Sequence, residues 1–259
     1  SIGLNLNSKW RGIRPVIANC RRYHSHLCNR IGLPLPQADY ETIRRCYRRY
    51  FGILPADLRT DLSCRCLDWS AAYMIQLVFI RHGATAGNLE KRYIGSTDEP
   101  LCDVGITQVE ALRQYNFRVD SLYVSPMLRT RQTAELLFPQ TPYTLVSDFR
   151  ETDFGLFEGK TSTELSDSAE YRAWIESMCL DPIPQGESVN EFKARCCSAF
   201  ESIIKSLPDN SYAAFVVHGG VIMAIMEAYA HPKKGFYDYH IENGKFLLCT
   251  CNEHYIRIE

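Results

Sequence analysis

The chain contains the stretch Val78-Phe79-Ile80-Arg81-His82-Gly83-Ala84-Thr85-Ala86-Gly87-Asn88. Residues 74–80, which lead into its centre, form a short apolar run with several β-branched members, a pattern typical of a buried strand. The run stops at two side chains that can carry positive charge and a glycine that permits tight backbone geometry. Because α/β proteins bind ligands at the carboxyl ends of their strands, this stretch predicts a strand that delivers His82 to a ligand site.

A second apolar run, residues 213–217, ends in the same way. It is followed directly by His218-Gly219-Gly220. If both runs are neighbouring parallel strands, their carboxyl ends lie at the same edge of one sheet. The sequence therefore predicts a site built around two histidines, His82 and His218.

The composition is that of an ordinary globular protein. The chain has 259 residues, of which 46% are hydrophobic and 23% charged. It contains neither an apolar run approaching the roughly 20 residues of a membrane span nor the apolar core of a signal peptide. The 11 cysteines are odd in number and several lie in apolar patterns, as free thiols do. We therefore expect a cytoplasmic protein without a membrane partner.

The distribution of charge predicts a domain boundary near residue 73. Residues 1–73 contain 12 Lys and Arg against 5 Asp and Glu, about +7, whereas the remainder has 17 against 25, about −8. Met74, the first methionine of the sequence, lies at the start of the predicted strand. We expect a basic extension of unknown role over residues 1–73 and a complete domain over residues 74–259.

Two features of the extension could have a function that the sequence does not identify. Residues 39–51 predict a helix with four arginines, which we interpret as an amphipathic helix packed on the main domain rather than a nucleic-acid or acidic-partner site. Four soft metal ligands also lie close together, but their spacing matches no zinc module, so we assign no metal. These ligands are Cys20, His24, His26 and Cys28. The oligomeric state is open, with a homodimer as one option.

Downstream of Met74, predicted strands alternate with predicted helices. Residues 121–124 read as a strand, and a helix follows with Ser125 as N-cap and Pro126 at the first helical position. The N-terminus of such a helix attracts anions, and Arg129 lies one turn away. Asn243-Gly244 is typical of a type I′ hairpin turn. The alternation predicts an α/β protein with three α/β/α layers and a mostly parallel central sheet.

Residues 149–159 predict an irregular loop in which acidic residues alternate with aromatic residues and glycines. A carboxyl group held in such a loop can serve as a general acid. From the residues of this loop alone, Glu151 and Glu158 are both candidates for the general acid.

Five separated motifs make residues 74–259 resemble the histidine phosphatase superfamily, which includes the cofactor-dependent phosphoglycerate mutases and small phosphomonoesterases. The motifs are Arg81-His82-Gly83-x-Thr85-x-x-Asn88, Ser125-Pro126-x-x-Arg129-x-x-Gln132-Thr133-Ala134, Glu151-x-x-Phe154-Gly155-x-x-Glu158-Gly159, Pro184-x-Gly186-Glu187-Ser188 and His218-Gly219-Gly220. Within the superfamily, Tyr93-x-Gly95-x-x-Asp98-x-Pro100-Leu101 and the spacing from Glu158 to Ser188 are most similar to the α-ribazole phosphatase branch of cobalamin synthesis.

The resemblance implies a phosphoglycerate mutase-like fold and a role for each motif residue. His82 would be the nucleophile that becomes phosphohistidine. Glu151, which lies in the family's acid position, would protonate the leaving group and then activate water. The remaining residues would bind the phosphoryl group or the substrate, and no metal or other cofactor is implied. They are Arg81, Arg129 and His218 around the phosphoryl oxygens, with Asn88 and Gly219 as further substrate contacts.

Three function classes follow from the sequence. The favoured one is a metal-independent phosphomonoesterase for a small phosphorylated metabolite, with α-ribazole 5′-phosphate as the specific candidate. A phosphoglycerate mutase would share the phosphohistidine, but the chain lacks the long insertion that mutases carry after the acid motif. A non-catalytic phosphate-binding protein is the third class, and the intact set of motif residues counts against it.

Overall fold

The computed structural model describes residues 74–252 and 255–259. The predicted basic extension, its helix at residues 39–51 and the cluster of Cys20, His24, His26 and Cys28 lie outside these residues, so the boundary at residue 73 stays a prediction. In the part of the chain that is described, no helix combines the length and the apolar character needed to cross a membrane.

A six-stranded mixed sheet forms the centre of the domain, in the order β3-β2-β4-β1-β5-β6. Parallel pairing joins the first four strands, and the two pairs that involve β5 are antiparallel. The strand bounds are β1 Ile75–Arg81, β2 Ser121–Val124, β3 Thr144–Leu145, β4 Tyr212–Val217, β5 Phe246–Cys251 and β6 Ile256–Ile258. The two runs that end in histidine are thus adjacent parallel strands, paired with Arg81 opposite Val217.

Helices cover both faces of this sheet. Their bounds are α1 Ala86–Leu89, α2 Asp103–Ala111, α3 Leu128–Leu137, α4 Ala169–Glu176, α5 Val189–Ser206 and α6 Gly219–Tyr229. Alternate residues of β1 enter different cores, because successive side chains of a strand point to opposite faces. Phe79 packs in the cluster that contains buried residues of α5 and α6, whereas Ile80 packs in the cluster that contains Ala134 of α3. The predicted three-layer α/β/α class is confirmed.

Stacked phenylalanines fix the two histidine-bearing strands against each other and against α5. The rings of Phe79 and Phe215 stack with centroids 4.9 Å apart, and Phe200 of α5 packs against both rings. A buried ring of this kind contributes roughly 1.5–3 kcal/mol through removal of apolar surface from water. The ends of β1 and β4 are therefore held by rigid packing, which gives the site at their carboxyl edge a fixed geometry.

The prediction that Ser125 caps the helix after β2 is wrong. That helix begins at Leu128 with Met127 as its N-cap. Ser125 still belongs to the sheet edge, since its N–H donates to the carbonyl of Val216 (3.1 Å). The Oδ1 atom of Asp98 accepts the N–H of Leu128 (2.6 Å), so a carboxylate of this chain already lies at the predicted anion-binding terminus.

The type I′ hairpin predicted at Asn243-Gly244 is also wrong. A type I′ turn needs positive φ at both central residues. Gly244 has φ +65°, but Asn243 does not lie in the left-handed region. The preceding segment contains a 3-10 turn, Phe236–Tyr239, instead of a strand. The segment reaches the carboxyl end of β1, where the N–H of Gly244 donates to the carbonyl of His82 (3.0 Å).

Candidate active site

His82 lies directly after β1 and is only 3% exposed. Its Nδ1 atom lies 2.7 Å from the carbonyl oxygen of Gly83. A carbonyl can only accept, so Nδ1 carries the proton and Nε2 keeps its lone pair. This hydrogen bond sets the tautomer in which Nε2 can act as a nucleophile.

His218 lies directly after β4 and is fully buried beside His82, with ring centroids 5.1 Å apart. Its Nε2 atom lies 2.7 Å from the hydroxyl oxygen of Ser125. Its Nδ1 atom is buried and has no hydrogen-bond partner among residues 74–252 and 255–259. The parallel pairing of β1 and β4 thus brings the two predicted histidines together.

Both histidines are held in the neutral form. Burial lowers the pKa of His82 well below 6.5, and the positive charges of Arg129 and Arg81 lower it further. Burial also lowers the pKa of His218, with the same two arginines and His82 adding to the effect. Both rings therefore remain uncharged near pH 7.

This neutrality predicts how stability depends on pH. The unfolded chain binds protons at its histidines below about pH 6.5, whereas the native histidines do not until a much lower pH. The free energy of unfolding should therefore fall as the pH drops below about 6.5, by up to about 1.4 kcal/mol per pH unit for each histidine. Urea unfolding of the wild type and of His218→Asn between pH 5 and 7.5 measures this. The variant should show a shallower slope, and equal slopes would contradict the neutral assignment of His218.

Two arginines supply positive charge beside the histidines. Arg129 is fully buried, and its Nη1 and Nη2 donate to the carbonyls of Thr97 (2.8 Å) and Gly95 (2.9 Å). Arg81 donates through Nη1 to the carbonyl of Ile241 (2.6 Å). Burial lowers the pKa of both guanidinium groups, while the charge of Glu151 raises it. Arginine nevertheless stays protonated at neutral pH.

The two arginines and the neutral His218 leave hydrogen-bonding capacity unused. Within the described part of the chain, the Nε atoms of Arg81 and Arg129 and the Nδ1 atom of His218 are buried without a hydrogen-bond partner. Buried donors of this kind are rare, because an unmade hydrogen bond in the interior is costly. An anion with several acceptor oxygens, such as a phosphoryl group, would satisfy them.

Glu151 and Glu158 have different partners. The carboxylate of Glu151 accepts the N–H of Thr152 (2.9 Å) and of Gly220 (3.0 Å), which places it at the start of α6 beside His218. A Cβ at Gly220 would lie 2.2 Å from a carboxylate oxygen of Glu151, so a larger residue there would force this carboxylate to move. Glu158 instead accepts the N–H of Gly95 (2.7 Å) and Thr97 (2.9 Å) with one oxygen. Glu158 thus shapes the loop whose carbonyls hold Arg129.

Asn88 and Gly219, the two further predicted contacts, lie at the rim of this group. The Oδ1 atom of Asn88 accepts the N–H of Thr85 (3.2 Å) and the amide of Asn243 (3.1 Å), which leaves its own NH₂ group to donate elsewhere. Gly219 is the first residue of α6, and a Cβ there would lie 3.2 Å from Cζ of Arg81. Glycine at this position therefore lets the guanidinium of Arg81 pack against the helix terminus.

Three residues of the site were missed by sequence reasoning. Ser125 contacts His218, and the Nη1 atom of Arg81 lies 3.3 Å from Nε2 of His240. The amide of Asn243 donates to the carbonyl of His82 (3.2 Å) as well as to Asn88. Ser125 belongs to a quoted motif and could have been found there. Asn243 shows only a turn signal, and nothing near His240 in the sequence points to the site.

The described part of the chain contains no cluster of side chains that could bind a metal ion. Among residues 74–252 and 255–259, no three His, Cys, Asp or Glu side chains are placed to share a metal ion. The six cysteines of this region are free thiols, of which Cys196, Cys249 and Cys251 are buried.

Comparison with known proteins gives one consistent family. The model of the histidine phosphatase superfamily (branch 1) matches residues 77–259. A protein of Yersinia pestis (strain Pestoides F) named a probable phosphoglycerate mutase, GpmB, is 32% identical over 154 residues, which are 56% of this chain and 70% of that protein. These matches confirm the resemblance carried by the five motifs.

Solved structures agree on the fold. The α-ribazole phosphatase of Shigella flexneri aligns with a TM-score of 0.63 at 22% identity, over 71% of this chain and 94% of that one. A Thermus thermophilus protein, TTHB049, aligns with a TM-score of 0.54 at 27% identity, over 71% and 96% of the two chains.

Proposed function

The chain belongs to the histidine phosphatase superfamily, branch 1, and from this premise we propose that it is a phosphomonoesterase that works through a phosphohistidine at His82. One observation carries the proposal. The buried, neutral His82 lies in the field of two positive charges, those of Arg81 and Arg129, and the Nε atoms of these arginines have no acceptor among the described residues. A nucleophile next to unused donors is the arrangement that transfer of a phosphoryl group requires.

The first step transfers the phosphoryl group to the enzyme. Nε2 of His82 attacks phosphorus in line with the ester oxygen, so that a P–N bond forms as the P–O bond to the leaving group breaks. Glu151 donates a proton to the departing oxygen and becomes a carboxylate. In the proposed mechanism neutral His218 carries its proton on Nδ1, where it can bind a phosphoryl oxygen, and Nε2 accepts a hydrogen bond from the hydroxyl of Ser125, which lies 2.7 Å away.

The second step hydrolyses the phosphohistidine. Water attacks phosphorus, and the Glu151 carboxylate accepts its proton as the P–N bond breaks. Inorganic phosphate leaves and neutral His82 is restored. In both steps Arg81 and Arg129 counter the charge on the equatorial oxygens, and their planar forks suit this role better than lysine would.

The proposed substrate is a small phosphorylated metabolite, with α-ribazole 5′-phosphate as the specific candidate. The motif from Tyr93 to Leu101 supports it. Its residues also build the site, because the carbonyls of Gly95 and Thr97 bind Arg129. The α-ribazole phosphatase of Shigella flexneri supports the fold alone, at 22% identity.

Mutase activity is the second candidate, because the Yersinia relative is named a probable phosphoglycerate mutase. The same phosphohistidine would then transfer its phosphoryl group to a second hydroxyl position of the substrate instead of to water. The connection between the loop at residues 149–159 and Pro184 is short. This favours hydrolysis, since the sequence lacks the long insertion that mutases carry after the acid motif.

One assay separates the three function classes. The full chain is incubated in EDTA with p-nitrophenyl phosphate, α-ribazole 5′-phosphate or 3-phosphoglycerate, each with and without 2,3-bisphosphoglycerate. We expect release of inorganic phosphate that needs neither metal nor bisphosphoglycerate, together with an acid-labile phosphoenzyme. Isomerisation of phosphoglycerate that depends on bisphosphoglycerate would favour the mutase. Phosphate binding without turnover would favour a non-catalytic protein, and turnover lost in EDTA and restored by metal would overturn the metal-independent mechanism.

A further inference from the structure

All N–H donors of the Arg195 guanidinium, which projects from α5, bind either one carboxylate or the backbone carbonyls of one short segment. Its Nε and Nη2 atoms bind the two carboxylate oxygens of Glu187 at 2.7 and 2.8 Å, a bidentate ion pair in which both side chains are 17% exposed. Its Nη1 atom donates to the carbonyls of Asp148 (2.6 Å) and Arg150 (2.8 Å), and Nη2 also donates to that of Glu151 (3.1 Å). The five N–H groups of a guanidinium are thereby matched by five acceptors.

These bonds hold the backbone from which Glu151 projects. The three carbonyls belong to residues 148, 150 and 151, so the guanidinium is hydrogen-bonded to the backbone up to and including Glu151. Beyond Glu151, the N–H of Glu187 donates to the carbonyl of Asp153 (3.0 Å). The two partners of one ion pair thus hold the segment that carries Glu151. The guanidinium of Arg195 binds the backbone up to Glu151, and the backbone N–H of Glu187 binds it at Asp153.

The side chain of Glu151 depends on this placement. Its two oxygens accept the N–H of Thr152 and of Gly220, and Gly220 belongs to the rigid start of α6. A shift of the 148–151 backbone would move the carboxyl group relative to His218 and the site. Proton transfer requires a carboxyl group within hydrogen-bond reach of the ester oxygen, so such a shift would slow it.

We propose that Arg195 and Glu187 are positioning residues that hold Glu151 for proton transfer to the leaving group. The inference rests on the proposed phosphomonoesterase function and deepens it. It also gives the Pro184-x-Gly186-Glu187-Ser188 motif a role in the reaction. Lysine cannot replace Arg195, since a single ammonium cannot bind a carboxylate bidentately and three carbonyls at once.

The test compares two classes of phosphate ester. An aryl ester such as p-nitrophenyl phosphate has a leaving group that departs without a proton, whereas an alkyl ester such as glycerol 3-phosphate needs one. The kcat/KM of Arg195→Lys and Glu187→Gln should fall about 10²-fold on the alkyl ester, the loss expected from a small misplacement of a catalytic group. On the aryl ester we expect a loss of less than about threefold, because phosphorylation of His82 there needs no acid.

Lys193→Met is the matched control. Lys193 lies on the same helix and pairs with Glu227 at 2.6 Å, so this variant also breaks an ion pair of α5. It should leave the ratio of alkyl to aryl kcat/KM unchanged. Circular dichroism and the Tm of each variant report folding. If Arg195→Lys does not fold, Glu187→Gln and Glu187→Asp provide the same comparison with the guanidinium retained.

A double variant separates positioning from a general structural role. In a Glu151→Gln background, Arg195→Lys should cause no further selective loss on the alkyl ester, because the acid is already absent. Equal losses on both esters in Arg195→Lys, or full selective loss in the double variant, would overturn the inference. Wild-type protein that hydrolyses neither ester would overturn the proposed function itself, which these variants do not address.

Discussion

Replacing His82 with alanine is expected to abolish hydrolysis of phosphate esters while the fold is retained. The change removes the Nε2 atom that we propose as the nucleophile, and loss of a nucleophile typically lowers kcat by about 10⁴-fold or more. The surrounding packing is little affected, since the strand that precedes His82 is held by the Phe79 and Phe215 stack. Steady-state kinetics on p-nitrophenyl phosphate and circular dichroism of the same preparation measure the two effects.

His82→Asn provides the matched control for this experiment. An asparagine amide can still donate to the carbonyl of Gly83, as Nδ1 of His82 does. It cannot form a phosphohistidine. Both variants should therefore lack the acid-labile phosphoenzyme that the wild type forms with a labelled ester. Either variant retaining more than about a tenth of wild-type kcat, a barrier change below roughly 1.4 kcal/mol, would show that the two-histidine mechanism is wrong.

The parts of the fold that the sequence predicted well are those governed by local patterning. The buried strands before His82 and His218 are short apolar runs, and each strand ends directly before its histidine. Once these two strands pair in parallel, the meeting of the histidines follows from geometry. The choice between Glu151 and Glu158 as the acid depends on more than local pattern, because they share one loop and the fold brings different distant N–H groups to them, that of Gly220 to Glu151 and that of Gly95 to Glu158.

The helix that was expected to begin at Ser125 shows why local signals fail. Serine followed by proline favours a helix start, but these preferences amount to about 1 kcal/mol. In the structure Ser125 donates its N–H to Val216 and its hydroxyl is hydrogen-bonded to His218, while Asp98 binds the N–H of Leu128 instead. All three partners lie outside the helix and are brought there only by the fold.

The contribution of Asn243 could not have been predicted for a related reason. Its segment reaches His82 because β5, which follows it, pairs with β1 in antiparallel register. The resulting contact between Asn243 and His82 joins residues 161 positions apart, and no pattern within either segment specifies it. Sequence reasoning thus found His82 and His218, which directly follow apolar strands, and missed Asn243, which a loop from another part of the chain brings to the site.

The second large effect is expected from Glu151→Gln, measured as kcat/KM on esters with different leaving groups. This ratio reports the steps up to phosphorylation of His82, so it reveals whether the leaving oxygen needs a proton. Alkyl esters should lose about 10²–10⁴-fold, the usual contribution of a general acid, and aryl esters far less. With an aryl ester, phosphohistidine should also accumulate, because the variant lacks the carboxylate that activates water.

Glu158→Gln tests the competing assignment within the same loop. Glu158 holds the N–H groups of Gly95 and Thr97, so its replacement should disturb the carbonyls that bind Arg129. In the proposed mechanism Arg129 stabilises the phosphoryl group whatever the leaving group is, and the loss in this variant should therefore be similar for alkyl and aryl esters. If the selective loss on alkyl esters appears in Glu158→Gln and not in Glu151→Gln, then Glu158 is the acid. In that case the N–H of Gly220 holds Glu151 for a structural purpose only.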